Sequence, residues 1–473
     1  MLTFQKVEKE RLLAFAPYFA AQRLHMGDFS LAFQFMWGKS LKPDYAEVAN
    51  CLVIREFYAG KYWFHYPLSL TGNPDEEAAA LTMIEKYCRD GEKRLHFTNV
   101  PKSKLFSLVT RYSDMSISNN RRWRDYLYRA EDFKTYAGKK FSGQRNHANK
   151  FLKLYPDWNF RPYTEDDLDE VRAFLGEYEG VQLKKHTYVA EEEMDEVYAL
   201  LPHIKALGLF AGVLKAQGRI VGFSVGERCG DMIVVHIEKA LRGFEGAYPF
   251  LAQQFARTFC GEGVEYLNRM DDAGDKGLRK SKLQYNPVEL VDKYNVTPGR
   301  AIDALDKLPV IEAERLTLAP VREEDAEIYA RLASDTVRNR YWGYDWRTDY
   351  REGTPPAHYF MECAREDFKH RREVPLGIYM EGRLVGEAVL HRFGYAAEVE
   401  VGARLLPEEE GKGYAREAVA ALSEFAFFKL NAERVEAKCY KENARSKKML
   451  LGAGMRECGE DETFFYFYKT AAM

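Results

Sequence analysis

Two stretches of this chain are written to one plan, and an internal repeat restricts a fold more tightly than any single motif. Residues 209–222, LFAGVLKAQGRIVG, and residues 376–386, LGIYMEGRLVG, each read as an alternating strand, a Gly-Arg turn and a second strand. That is the signature of a β-hairpin. Each is followed by a further strand pattern (232–239 and 397–406), a glycine, a helix with apolar spacing and a last strand, VEYLN in the first copy and VEAKCY in the second. The spacing predicts mixed sheets flanked by helices, an α/β (α+β) architecture built twice. Two hairpins of independent origin are the alternative.

At 473 residues the chain has room for two to four domains. The clearest seam falls at Thr297-Pro298-Gly299, where a turn signal precedes a short helical stretch that Pro309 breaks. We therefore expect domains at 1–297 and 313–473 joined by a linker at 298–312. A hydrophobic share of 46% excludes a disordered or collagen-like chain, and 69 basic against 72 acidic residues exclude a constitutive nucleic-acid coat. The first ~130 residues are rich in aromatics, with strand-like runs at 50–57 and 61–67 around Gly60. Seven scattered cysteines with no C-x-x-C pair point to reduced thiols and a cytoplasmic setting rather than disulfides or a metal site. The N-terminus is too charged for a signal peptide, and no run reaches the ~18 apolar residues of a membrane span, so no membrane contact is expected.

The strongest chemical signal is Glu410-Gly411-Lys412-Gly413-Tyr414-Ala415, between a strand pattern and a helix that carries Ala415, Ala418, Val419, Leu422, Phe425 and Ala426 on one face. Glycines at a helix mouth let unpaired N–H groups approach phosphate oxygens. A tight turn that needs glycine only for its backbone angle is the plain alternative. Downstream, the strand pattern 434–440 ends at Lys441-Glu442-Asn443-Ala444-Arg445-Ser446, which opens another helix. On spacing alone Asn443 is a helix cap and Ser446 a first-turn residue.

With E-x-x-G-x-A at 410–415, Glu400-Val401-Gly402 in the preceding strand and Asn443-x-x-Ser446 before a closing Gly-Ala-Gly-Met, residues 313–470 resemble the GCN5-related N-acetyltransferases (GNAT), especially the ribosomal-protein N-terminal acetyltransferase-like branch. Glu410 stands where that family usually has Arg or Gln. The resemblance implies acetyl-CoA as co-substrate, no metal, and direct attack of an amine on the thioester. The backbone at Leu405 and Leu406 would pair with pantetheine. Gly411, Lys412, Gly413, Tyr414 and Ala415 would hold the pyrophosphate, and Asn443 would bond the pantetheine arm. Ser446 would protonate the leaving thiolate, and Glu400 is the candidate general base, acting through water; a structural strand carboxylate is its alternative. Tyr341, Trp342, Tyr344 and Asp345 could form a pocket for the cationic acceptor amine, or simply an aromatic cluster.

Residues 1–297 carry two landmarks. One is Lys139-Lys140 with Gln144-Arg145-Asn146-His147 and Lys150. The other is Tyr266-Leu267-Asn268-Arg269-Met270-Asp271-Asp272 with Gly277, Arg279, Lys280, Lys282 and Tyr285. Together they look like the soluble C-terminal domain of phosphatidylglycerol lysyltransferases, which implies a tandem acetyltransferase-like fold with its second half at about 155–297. In this copy the glycine loop reads Phe244-Glu245-Gly246-Ala247-Tyr248-Pro249. One glycine, an acidic neighbour and a proline without N–H predict that coenzyme A does not bind there. The basic cluster 139–153 is a candidate tRNA contact or a solvated helix face, and His147 alone is not a metal site. Aminoacyl transfer from charged tRNA, or a non-catalytic scaffold, are the alternative functions. Gly222-Phe223-Ser224-Val225-Gly226 imitates a nucleophile elbow but lies inside an alternating strand, so a hydrolase is not expected.

Overall fold

The computed structural model describes residues 2–472 except 92, 113, 183–187, 338, 343, 344, 349, 351, 352 and 354. Its described strands form three mixed sheets of eight, seven and eight strands. The chain divides into two compact units, Met1–Ile84 with Leu95–Ser107 and Ile117–Thr297, and Glu85–Arg94 with Leu108–Ser116 and Pro298–Met473.

In the first unit the predicted runs about Gly60 are the paired strands Cys51–Tyr58 and Lys61–His65. The second sheet of this unit contains the first copy of the repeat. Phe210–Ala216, Arg219–Cys229 and Met232–Ala240 pair antiparallel in succession. The helix Ala247–Phe259 then crosses over to Tyr266–Asn268, which pairs parallel with Met232–Ala240.

The second unit repeats that order and every strand sense. Glu373–Met380, Arg383–His391 and Glu398–Leu405 run antiparallel, the helix Tyr414–Leu430 crosses, and Arg434–Tyr440 pairs parallel with Glu398–Leu405. The likeness extends to an irregularity. In one hairpin Leu214 faces Gly222 and Lys215 faces Ile220, so Val221 bulges out of register. In the other Ile378 faces Gly386 and Tyr379 faces Leu384, so Val385 does the same. Each bulged valine accepts a hydrogen bond from the residue that leaves the third strand, Leu241 N–H to Val221 (2.9 Å) and Leu406 N–H to Val385 (3.0 Å). A β-bulge is a specific local device, and its exact recurrence argues for one repeated module rather than two chance hairpins.

Both modules bury the crossing helix against the sheet. Tyr414–Leu430 turns Tyr414, Ala418, Val419, Leu422, Ala426, Phe427 and Leu430 inward. Ala415 and Phe425, expected on that face, are half-buried at its margin. Sequence reading also missed the two short segments that join the second unit from far upstream. Arg89 bonds Glu398 (3.1 Å), Arg94 pairs with Asp303, and the Tyr395 hydroxyl donates to the Lys93 carbonyl (3.3 Å). These are long-range pairings with no local sequence pattern. Among the described residues no helix is long and apolar enough to cross a membrane.

Candidate functional site

The site of the second unit begins where two parallel strands part. Glu398–Leu405 and Arg434–Tyr440 are in register only from Glu398 with Arg434 to Glu400 with Glu436. Beyond Glu400 no strand pairs with that edge among the described residues. On its other side the strand stays in register with Arg383–His391 up to Gly386 opposite Leu405. The bond from Leu406 N–H to Val385 marks Gly386 and Leu405 as a non-hydrogen-bonded pair, so the backbone groups of Leu405, and by alternation those of Ala403, face the parted edge. Leu406 differs. Its N–H is committed to Val385 and its carbonyl accepts from Glu409 (3.0 Å).

At the end of that strand the chain turns through Gly411 (φ 79°) and Gly413 (φ 85°) into the helix Tyr414–Leu430. A side chain at either position would force a backbone angle that L residues resist. Nothing lies within 4 Å of a Cβ built on Gly411, and the nearest atom to one built on Gly413 is Nη2 of Arg315 at 3.4 Å. The backbone N–H groups from Gly411 to Ala415 donate to no partner among the described residues. This is a mouth of free donors with the helix dipole behind it.

The charged residues around it are mostly committed. Lys412 bonds Glu409 (2.9 Å), which also pairs with Arg383, and these two cations hold the Glu409 carboxyl below its ordinary range. Glu410, the departure from the usual motif, is paired with Arg445 at 2.9 Å, so its charge is countered. Two arginines that sequence reasoning missed stand at the mouth. Arg315 donates to Glu417 (2.7 Å) and to the Lys412 carbonyl (3.2 Å). Arg416 is exposed, with a guanidinium nitrogen 4.0 Å from a Cβ built on Gly413. Arg416 could have been found as a cation in the first turn of the helix; Arg315 lies in the bend before the strand Leu316–Ala319, far away in sequence, and had no signal.

Asn443 caps the helix Ala444–Gly452, its side-chain oxygen accepting from Ser446 N–H at 3.0 Å. Its amide nitrogen is left for other use, and Ser446 is half-buried beside it. Glu400 is surrounded by His391 (3.8 Å), Arg392 (3.4 Å) and Lys438 (3.7 Å). Of the four proposed acceptor residues, the three that are described are not brought together into one pocket. Tyr341 stacks near Tyr440 with centroids 5.4 Å apart, and Trp342 lies over Gly402 and under the Arg404 guanidinium (4.4 Å). Asp345 is exposed and bound by Arg347 (2.6 Å), which holds its carboxyl low, and Tyr344 lies outside the described residues.

The first unit's second landmark, residues 266–285, is tied by internal bonds. Asp272 accepts from the Tyr126 hydroxyl (2.6 Å), Arg279 (2.9 Å) and Arg121 (3.1 Å). Lys282 donates to the carbonyls of Arg269 (2.6 Å) and Asp271, and burial lowers its pKa to about 8. Burial also raises Asp271 to about 6. Arg269 pairs with Glu238 and sits 4.6 Å from the Tyr285 ring. In the basic cluster Lys140 pairs with Asp132 (3.3 Å), Lys150 with Glu245 (2.6 Å), and Arg145 donates to the Gly138 carbonyl (3.0 Å). Ser224 is buried mid-strand and donates to the Ile237 carbonyl (3.0 Å), which removes it as a nucleophile.

Comparison with known proteins agrees with this division. Residues 20–297 match the family model described as phosphatidylglycerol lysyltransferase, C-terminal, and residues 315–456 match that of the acetyltransferase (GNAT) domain. A crystal structure of a conserved protein of unknown function from Bacteroides thetaiotaomicron superposes with a TM-score of 0.60 at 26% identity, covering 63% of this chain and all of that one. An uncharacterized protein of Mycoplasmoides gallisepticum is 26% identical over 36% of this chain, a match that spans 55% of its own length. The uncharacterized N-acetyltransferase YoaA of Bacillus subtilis is 25% identical over 33% of this chain and 89% of its own. With more than half of its length under one family model and a second domain behind it, the chain belongs to the phosphatidylglycerol lysyltransferase C-terminal family and carries a GNAT acetyltransferase domain in its second unit.

Proposed function

We propose that the second unit moves an acetyl group from acetyl-CoA to a primary amine by direct attack on the thioester. The supporting observation is the free mouth at Gly411–Gly413 beside a strand edge that has lost its partner. The N–H groups of Gly411 to Ala415, including those of Lys412 and Tyr414, suit a pyrophosphate. The outward backbone of Ala403 and Leu405 suits the amides of pantetheine. Leu406, whose own backbone groups are engaged, contributes a buried wall instead. The amide nitrogen of Asn443 is the candidate donor to the same arm. In the reaction the amine nitrogen forms its bond to the carbonyl carbon as the carbon–sulfur bond breaks. The ammonium proton passes through water to Glu400, and Ser446 delivers a proton to the departing sulfur.

Calorimetry on the full chain tests this. Acetyl-CoA should bind the wild type and not Gly413→Val, whose side chain would fill the mouth and resist its backbone angle. Ser446→Ala should bind normally and turn over slowly. Normal binding by Gly413→Val overturns the cradle. Binding without thiol release across peptide and polyamine acceptors would favour a ligand-holding scaffold. A second reading, aminoacyl transfer from charged tRNA by the first unit, draws on the family match over 20–297. It predicts tRNA binding that weakens steeply with salt and on neutralising Lys139 and Lys140.

A further inference from the structure

On the face of the sheet that carries Glu400, most carboxylates stand beside a cation, and Glu373 lies opposite His391. Glu398 is bonded by Arg89 (3.1 Å), and Glu436 by Arg434 (2.9 Å) with Arg89 at 3.7 Å. The buried Glu387 is matched by Arg404. That leaves Glu400 as the carboxylate nearest to Lys438, with Arg392 and His391 also within 3.8 Å of it. Arg392 is shared with Asp90, which Lys86 also bonds. Past Glu400, towards the end of the strand Arg434–Tyr440, the surface becomes an aromatic run. Lys438 lies over the Phe464 ring (5.3 Å), Phe464 touches Tyr440 (4.5 Å), and Tyr440 touches Tyr341 (5.4 Å). The exposed Arg340 closes the run, stacked on Tyr341 at 4.4 Å and donating to its hydroxyl (2.6 Å). Asp461 bonds the Tyr466 hydroxyl (2.6 Å) at the other end. Among the described residues neither Lys438 nor Arg340 has a carboxylate within hydrogen-bond distance.

We propose that the acceptor is an amine that carries a carboxylate close to its nucleophilic nitrogen, with Lys438, at the Glu400 end of the Tyr341–Tyr440–Phe464 edge, holding that carboxylate. This rests on the acetyl-transfer reading of the same unit and narrows it. A polyamine or a lysine-rich peptide would bring positive charge beside Lys438 and Arg392, with Asp345 neutralised by Arg347. The same cations serve the chemistry. Cations near an ammonium disfavour its charged form and so favour the neutral amine that attacks. The carboxylate can belong to a free amino acid or to an acidic residue beside a peptide N-terminus, and the aromatic run gives a peptide somewhere to lie.

Four acceptors separate these outcomes on the full chain with acetyl-CoA: free aspartate, a peptide beginning Ser-Asp-Asp, its Ser-Lys-Lys counterpart, and spermidine. Acetylated product is measured by mass spectrometry. A carboxylate-bearing acceptor should exceed both cationic ones in kcat/KM by about tenfold or more, the scale of a charge-assisted hydrogen bond. Preference for aspartate over the acidic peptide identifies a small-molecule acceptor, and the reverse a polypeptide. Lys438→Glu should abolish the preference and Lys438→Gln should reduce it, with CoA affinity unchanged in both. Preference for spermidine or the lysine peptide overturns the proposal, as does a preference that both Lys438 variants leave intact. Tight CoA binding with no acetylation of any of the four also overturns it while leaving the cofactor site standing; absence of CoA binding overturns both.

Discussion

Gly246 and Gly413 hold the same place in two copies of one module, and their backbones are nearly superposable, φ 84° and ψ 0° against φ 85° and ψ 2°. Each caps the crossing helix, and each follows a strand that ends by donating an N–H to a bulged valine. Their surroundings are opposite. A Cβ on Gly246 would lie 2.1 Å from the His147 carbonyl oxygen and 3.1 Å from Phe151 Cβ, because the helix Ser142–Leu154 is seated against that mouth. A Cβ on Gly413 would meet only the ends of two arginine side chains, Arg315 and Arg416. The same glycine thus serves close helix packing in one copy and leaves donors exposed in the other. From the sequence, a single glycine, the acidic Glu245 and Pro249 without an N–H predict that the first copy does not take the cofactor, and Lys412 stands where Glu245 does in the other copy. Both are paired, Glu245 with Lys150 and Lys412 with Glu409, so in the structure the obstruction is steric.

The sharpest way to break this comparison is to add one methyl group to each mouth. Gly246→Ala combines a left-handed backbone with a collision against main chain and should cost about 3 kcal/mol, read from denaturant unfolding. Gly413→Ala carries the backbone strain alone, about 1–2 kcal/mol. Equal losses would mean that the seated helix yields easily.

Ligand linkage comes next. Acetyl-CoA at a hundred times its dissociation constant should stabilise the second unit by about 2.7 kcal/mol, and Gly413→Val should erase that shift in a thermal melt. A saturable shift assigned to the first unit would show that its mouth can open.

The segments after the last parallel strand differ too. Asn443, Ser446 and Asp271 are all half-buried, but only Asp271 has a carboxyl there, and desolvation raises it to about 6. A raised carboxyl destabilises the fold when it is ionised. The cost is complete above about pH 6 and absent below about pH 4, where folded and unfolded forms are both protonated. Asp271→Asn should therefore stabilise the protein by about 2 kcal/mol at pH 7 and by nothing near pH 3.5, measured by urea midpoints. The smallest effects belong to the exposed ion pairs at the two mouths, Glu410 with Arg445 and Glu245 with Lys150. Glu410→Gln should change CoA affinity, and Lys150→Ala stability, by less than about 1 kcal/mol, because exposed ion pairs contribute little.

Much of the fold was legible because its periods are local. Alternation wrote the hairpins, helical spacing wrote the crossing helices, and glycine marked both mouths. Ala415 and Phe425 missed the buried face by one position, since a helix's rotation on its sheet is set by packing rather than by its own pattern. The aromatic segment 341–346 reads as one acceptor pocket or one packed cluster because its residues are adjacent in sequence. In the structure Trp346 packs on Phe360 (5.5 Å) while Tyr341 reaches Tyr440, so neighbours in the chain part company.

By itself the sequence determined that this protein repeats one strand–helix module, and which of the two glycine loops keeps a phosphate-binding pattern. Those properties reside in short-range periodicity and in residue types that tolerate special backbone angles. Only the tertiary structure decided that the first mouth is closed by a helix from a hundred residues upstream, that Glu410 is countered by Arg445, and that Glu400 is the carboxylate nearest to Lys438, 3.7 Å away. Whether a charge is spent or free depends on which distant side chain arrives beside it, and no local pattern carries that information.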